Sequence, residues 1–578
     1  MTKLTRIRRL ILPATLLSFA LGLGLSSQAH AQGEPAPEPL TKVIASAEPD
    51  ACLSLAGAPH PTGTRDEDGN LNCPEGSFRK TNQTYAWSMV RYRKTLWVGT
   101  GANVLCTTAA TFVDAASSGS FISDISTCEF GDSDFAAAAT LANDGVAPDY
   151  LPQLGDWVAG KVYTINTESG QVTDRTPDVP IMDEIVGFRS AGAVNGMAFL
   201  AGGTKEGGFA MLAFNANTGE YIGSRRFPSY KTSRKSINVD GVMYLAAGTP
   251  GGQGVVFKHA GSKTENCNRS IECVFRFVTV GQLSGVPREL ASFTDEQGVL
   301  RIAANARGLF ISEAVQADIG LPANAAWEQK WTPWSYEPDL ISGIAYGGGG
   351  MSSLNDGTLI FGAVLVPGRT TYLHTLCQFR FFCFGTPETE EEYATVAAGT
   401  DRNTVLFAGT DLGTDEPKFE LLYGESTLPR YRFWDRSFQD TPTGWTPKWG
   451  ASGYGFPNTG YTWVAATTNY GVVVGTLDTG LFVGDFENAG ANLWLIRSAD
   501  QPALLLSNDG LGNLRNYGFR TMAVSADGET LYVGTASMSN VENPYFPGNA
   551  GFEVIEVPMG PLIEAAEAAA AAATAAAE

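Results

Sequence analysis

Histidine is almost missing from this chain: there are four in 578 residues, and only three beyond position 31. None of the eight cysteines stands in a CxxC or CxxCH arrangement. Together these shortages argue against a zinc site and against covalently attached haem. His60, His259 and His374 lie far apart and read as structural or exposed residues, so no metal site is expected and no cofactor is indicated. Cations are also scarce. Lys and Arg number 39 against 60 Asp and Glu, for a net charge of −21. That balance disfavours nucleic acid and anionic lipid as partners, because phosphate binding needs clustered Lys and Arg. Beyond residue 31 no apolar run is long enough to span a bilayer, so no membrane insertion is expected there.

The ends of the chain are compositionally distinct. Lys3, Arg6, Arg8 and Arg9 precede an apolar stretch from Leu10 to Leu25, and Ala29-His30-Ala31 offers a small-x-small cleavage site. Residues 1–31 therefore read as a secretory signal peptide. An uncleaved anchor is the alternative, but Pro13, Gly22 and Gly24 interrupt the run. A secreted or periplasmic location follows. Residues 32–50 read as a Pro- and Glu-rich linker and 561–578 as an alanine-rich tail without a patterned face to bury. In an exported chain an even cysteine count reads as disulfides. The near-neighbour pairs are Cys52 with Cys73, Cys106 with Cys128, Cys267 with Cys273, and Cys377 with Cys383.

Between the ends, residues 51–560 repeat. Residues 517–535 read YGFRTMAVSADGETLYVGT, which is a strand, an Asp-Gly turn and a strand ending in Gly-Thr. The same unit recurs at 187–204, 232–249, 461–476 and 84–100, with looser copies at 286–311, 345–366 and 393–424. Asn-Gly and Asp-Gly between apolar, β-branched runs are hairpin signals. The spacing of most units, about 45 to 67 residues, is that of a four-stranded blade. The expected fold is all-β: a single β-propeller of seven or eight four-stranded blades, with two smaller propellers or a sandwich array as the alternative. The last blade stops after its third strand, and an N-terminal segment near Cys52 is expected to complete it. The stretch SADGETLYVGT resembles one repeat of YVTN-type propellers. The whole region, with NQTYAWSMV, GFRSAGAVNG, YTWVAAT and NYGFRTM, is similar to secreted bacterial β-propellers that have no established activity. The resemblance implies the fold and transfers no site residues.

Counting back fifteen residues from the Gly-Thr ends gives Arg189, Arg234 and Arg520, and in two further units Tyr85 and Tyr461. Arg288 lies seventeen before Asn305 in a looser copy. In a propeller the first strand of each blade lines the central channel, so these residues are expected at one mouth. Guanidinium groups bind carboxylate and sulfate bidentately and stay charged. One reading is therefore an anion-binding pocket for a small anionic molecule or acidic carbohydrate. The other is that the arginines tie neighbouring blades together through carboxylates such as Glu289. A third possibility is an enzyme, a lyase or hydrolase on an acidic carbohydrate or small anionic substrate, with Tyr85 or Tyr461 as acid or base.

Weaker features read as structure. Asp66, Asp68, Asn70 and Asn72 alternate but lack the glycine and glutamate placement of a calcium loop. The sequons at Asn82 and Asn268 carry little weight in a bacterial protein. The Trp331/Trp334 and Trp445/Trp449 pairs suit packing more than sugar stacking. Peptide mapping without reduction should recover fragments linked 52–73, 106–128, 267–273 and 377–383; a link between different pairs would overturn the local assignment.

Overall fold

Inner strands in this protein are apolar on both faces. In Met197–Gly203, alternate residues point opposite ways, yet Met197, Ala198, Phe199, Leu200 and Ala201 are all buried. Such a strand must be covered on each side by another sheet. The computed structural model describes residues 40–54, 62–67, 69–104, 158–204, 207–261, 270–377, 381–483, 485, 487, 489–537 and 548–577. The signal segment, Cys106, Cys128, Cys267, His60, Asp68 and Asn268 lie outside the described residues.

The described residues are mostly β. They form seven four-stranded antiparallel meanders, here sheets I to VII in chain order, and their first strands are the key elements. These are Gln83–Tyr92 (I), Ser190–Val194 (II), Thr232–Val239 (III), Glu289–Thr294 (IV), Gly347–Ser353 (V), Thr459–Thr468 (VI) and Asn516–Val524 (VII). Each first strand packs on the first strand of the next sheet, and that of VII packs on that of I, so the order is cyclic. Single bridging pairs, such as Val364 with Tyr461, Leu477 with Gly518 and Ala536 with Tyr85, join neighbouring sheets.

A separate apolar cluster fills each gap between consecutive sheets. Trp97, Phe188, Leu200 and Phe214 pack between I and II. Phe199, Met211, Met243 and Phe257 pack between II and III. The period-2 alternation explains this partition, since Leu200 and Phe199 leave the same strand on opposite faces. The hairpin signals hold locally: Asn195-Gly196 and Asp240-Gly241 take positive φ at both positions, as a type I′ turn requires.

Three expectations about organisation are corrected. The looser copies at 345–366 and 393–424 are not separate units, because Leu359–Val364 pairs directly with Leu406–Thr410 in sheet V. Helices Arg369–Leu376 and Glu390–Thr400 are inserted between those strands and stretch the spacing. Residues 32–50 are not simply a linker: Lys42–Ser46 forms the fourth strand of sheet VII, antiparallel to Glu553–Pro558. The missing last strand is thus supplied slightly ahead of Cys52. Thirdly, the alanine-rich end is part of helix Met559–Ala577, whose Met559, Leu562 and Ile563 are buried against Val557, Leu506 and Leu493. Arg497 pairs with Glu567 on the same helix at 2.7 Å.

Two of the four expected disulfides lie wholly within the described residues, Cys52–Cys73 and Cys377–Cys383. Cys273 is also disulfide-bonded. The described residues contain no helix long and apolar enough to cross a membrane.

The C-terminal helix divides into a packed start and an exposed remainder from Glu567 onward. Removing residues 569–578 should leave the melting temperature unchanged. Removing 559–578 should lower it clearly, since each buried Met, Leu or Ile side chain contributes about 1.5–3 kcal/mol. Calorimetry of the two truncations checks both.

Candidate functional site

The first strands of sheets I, III, V, VI and VII carry a bulge. In sheet VII Phe519 pairs with Thr535 and Thr521 with Gly534, leaving Arg520 unpaired between them. In sheet I Ala86 pairs with Thr100 and Ser88 with Gly99, leaving Trp87. In sheet VI Thr462 pairs with Thr476 and Val464 with Gly475, leaving Trp463. In sheet III the skipped residues are Arg234 and Lys235. Bulges re-aim side chains and recur beside functional sites. Arg189 and Arg288 sit just ahead of their strands, with backbone N–H groups donating to Ala201 and Asn305 carbonyls.

The structural equivalents of Arg520 in sheets I and VI are therefore Trp87 and Trp463, not Tyr85 and Tyr461. The sequence register fails there because hairpin I turns at Arg93-Lys94 and hairpin VI at Asn469-Tyr470, whereas hairpin VII turns through the longer Ser525–Thr530 segment. The two tyrosines nevertheless stay in the same cluster. Tyr85 meets Trp87 and Trp463 edge-on at 5.9 and 6.0 Å, and Tyr461 meets Trp463 at 5.5 Å. Trp463 needs Gly518 beneath it, where any Cβ would lie 2.1 Å from the indole ring.

The four arginines come together. Burial, then the neighbouring Arg520 and Arg288, pulls Arg189 down to about 9. Burial also lowers Arg520 to about 10, with Glu289 opposing and Arg288 adding to the shift. Arg234 is lowered by burial and by all three other arginines. Arg288 is lowered chiefly by burial. Each side chain keeps some accessible surface although protein surrounds it, as a residue inset in a channel does. The guanidinium carbon of Arg189 lies over the Trp87 ring at 4.3 Å and that of Arg520 over the Trp463 ring at 5.6 Å. Arg288 lies over Gly347 of sheet V, where a Cβ would stand 3.1 Å from its Cζ.

No ion pair joins any of the four to a carboxylate among the described residues. Glu289, adjacent to Arg288 in sequence, instead pairs with Lys235 at 2.6 Å. Burial raises the Glu289 carboxyl, and Lys235 opposes that rise. A cavity of about 670 Å³ is lined by Lys235 and Glu289 together with Ser292, Ser352 and Thr467, residues later in their first strands than the arginines. It contains none of the four.

Tyr461 is pushed up to about 12 by burial, against the pull of Arg288 and Arg234. It is a phenol at neutral pH, able to donate a hydrogen bond but unsuited to act as a base. The nearby carboxyl of Asp478 is buried, accepting from Thr459 Oγ1 at 3.1 Å and from the Gly480 N–H at 2.7 Å.

The other sequence candidates fall elsewhere. Asp66 accepts from the Asn70 backbone N–H at 2.8 Å within a turn. The described residues contain no metal-binding cluster of His, Cys, Asp and Glu. Asn82 is buried and donates to Asp50 at 2.9 Å. Trp331 packs on Phe361 and Phe407, Trp445 on Phe407 and Trp449 on Tyr423, while Trp334 is exposed. His259 is buried against Phe199 and Phe277. His374 contacts Asp339 at 3.1 Å and Ser342 Oγ at 3.4 Å through the same Nε2. A nucleophile relay needs both ring nitrogens, so this enclosed group is a structural tie. Beside it Arg402 chelates Glu337 at 2.8 and 3.2 Å.

No family model and no curated protein sequence matches the chain. Among solved structures it is similar to hydrazine synthase of Kuenenia stuttgartiensis, at 10% identity over 81% of this chain and 97% of that one, with a TM-score of 0.33. It is also similar to Trypanosoma rangeli sialidase, at 8% identity over 91% and 58% of the two chains, TM-score 0.34. A third is the exo-β-1,3-galactanase of Phanerochaete chrysosporium, at 10% identity over 54% and 60%, TM-score 0.26. Likeness at that level carries no argument about chemistry.

Burial raises Asp478 from 3.8 to about 6, opposed by its hydrogen bonds. A carboxyl whose pKa rises on folding favours the protonated folded state. Its contribution to stability is complete below about pH 4 and is lost as pH rises through 6. D478N should therefore change stability little at pH 4 and raise it at pH 7 by on the order of 2 kcal/mol. Urea denaturation at the two pH values measures the difference.

Proposed function

We propose that this chain is an exported, seven-bladed β-propeller that binds an anionic ligand at one mouth of its central channel, through Arg189, Arg234, Arg288 and Arg520. The cyclic packing of seven meanders supports the blade count. The basic and apolar start of the sequence and the disulfides support export.

The observation that carries the binding reading is the electrostatic imbalance at the centre. Four mutually repelling guanidinium groups sit together, and Glu289, the carboxylate that acts on Arg520, is engaged by Lys235. If the arginines served to tie blades together, each would have a carboxylate or carbonyl partner. Among the described residues no ion pair joins any of the four to a carboxylate, and two lie over aromatic rings. A cation cluster of this kind costs the fold free energy, and an anion between the arginines offsets that cost. Tyr461 adds a neutral donor to the same site.

The two roles predict opposite stability effects. In the ligand-free protein, R234A should raise or preserve the melting temperature, because it removes a repelling charge. A structural tie would give a large loss. Charge-assisted hydrogen bonds contribute about 1.5–3 kcal/mol each. The double variant R234A/R520A should therefore bind sulfate or a carboxylate at least a hundredfold more weakly by calorimetric titration, with the fold intact by circular dichroism. Unchanged binding in that folded variant overturns the proposal.

A further inference from the structure

We infer that the ligand is a small polyanion, with two or more oxyanion groups on one frame, held jointly by Arg189, Arg234, Arg288 and Arg520. This rests on the anion-binding reading above and specifies its substrate class.

Charge counting comes first. The four guanidinium groups carry four positive charges, and the Lys235–Glu289 pair next to them is neutral as a unit. A monoanion would leave most of that charge uncompensated in a protein-lined channel, where repulsion is far stronger than in water. A dianion or trianion brings the site close to balance.

The supply of donors agrees. A guanidinium offers five N–H groups along its edges. The guanidinium carbons of Arg189 and Arg520 lie over the rings of Trp87 and Trp463, and no ion pair joins either to a carboxylate among the described residues. Arg234 Nε is buried and without a hydrogen-bond partner among the described residues. The site therefore presents more donors than one carboxylate or sulfate can accept.

The arrangement around the ring sets the shape of the ligand. Sheets II, III and IV are consecutive and each contributes one arginine, forming a continuous arc. Sheet V contributes Gly347, whose missing side chain makes room for the Arg288 guanidinium. Sheet VI contributes Tyr461, which lies within electrostatic range of both Arg234 and Arg288. Arg520 comes from sheet VII, with sheet I between it and sheet II, and it is the strongest charged neighbour of Arg189. A ligand with a single charged group would leave part of this ring of donors unused. One with several charged groups engages more of it. Di- and tricarboxylates fit this description, and so do sugars bearing two or more carboxylate, sulfate or phosphate groups.

The test is calorimetric titration of the full chain at pH 7 and constant ionic strength. The probes are acetate, succinate and tricarballylate, with sulfate and pyrophosphate as a parallel series. Affinity should rise at least tenfold with each added carboxylate, and pyrophosphate should exceed sulfate by a similar factor. A larger gain within one series than in the other identifies the oxyanion type. R520A should weaken succinate and tricarballylate by a larger factor than acetate, and R520K should recover part of the loss. If acetate binds as tightly as tricarballylate and R234A abolishes both, the site takes a monoanion: the binding function stands and this inference is wrong. If no probe binds, the anion reading itself falls and the inference falls with it.

Discussion

Everything in this structure depends on burying both faces of each sheet. A four-stranded meander with two apolar faces is insoluble alone, and the gaps between consecutive sheets each hold their own cluster, as Phe199 and Phe257 do between II and III. Cyclic order is the arrangement in which no face is left open. It also fixes where polar chemistry can sit. The middle strands, such as Val242–Gly248 and Gly471–Asp478, are committed to packing along nearly their whole length. Only the first strands, crowded against one another at the centre, have positions that face neither neighbour, and bulges hand those positions to Arg234, Arg520, Trp87 and Trp463.

The protein handles buried charge in two contrasting ways. At the inserted helices, Arg402 meets Glu337 through two hydrogen bonds, and Asp339 caps a helix while also accepting from the Tyr431 N–H. Hydrogen bonds from His374 and these backbone groups hold the Asp339 carboxyl at about 2 in spite of its burial. That group is internally complete. The central arginines are the opposite case: no ion pair joins any of the four to a carboxylate among the described residues. A fold that satisfies one buried cation so fully has the means to satisfy the others.

Much of this was legible in the amino-acid sequence, for physical reasons that can be traced residue by residue. Asn195-Gly196 and Asp240-Gly241 announced hairpins because positive φ is affordable there. The arginines could be found because a repeated strand–turn–strand unit keeps register with its Gly-Thr end. The same arithmetic placed Tyr85 and Tyr461 where Trp87 and Trp463 stand, since the Gly-Thr ends do not mark one structural position: Thr100 and Thr476 are paired inside their hairpins, whereas Thr204 and Thr249 lie just past their strands. Bulges leave no mark in composition, so nothing local could correct the count. Ile360 and Leu406 looked like centres of two units because helices separate strands that are neighbours in space. Strand Lys42–Ser46 was hidden within a Pro- and Glu-rich stretch, and its partner Glu553–Pro558 lies at the other end of the chain. Long-range pairing of that kind is invisible to any window of sequence.

That last pairing has a consequence for how the molecule assembles. Sheet VII takes three strands from the end of the chain and one from the beginning, so the circle is closed by the two segments farthest apart in sequence. Sheets I to VI can each form from contiguous residues as they emerge, but the closing seam cannot exist until the last strand is present. Joining the ends of so long a chain carries an entropic cost that only six preformed sheets, holding those ends near each other, can reduce. Assembly is therefore ordered, with the seam last, and the seam is where opening under stress should begin. The central mouth is made from all seven first strands, so it comes into being only at that final step.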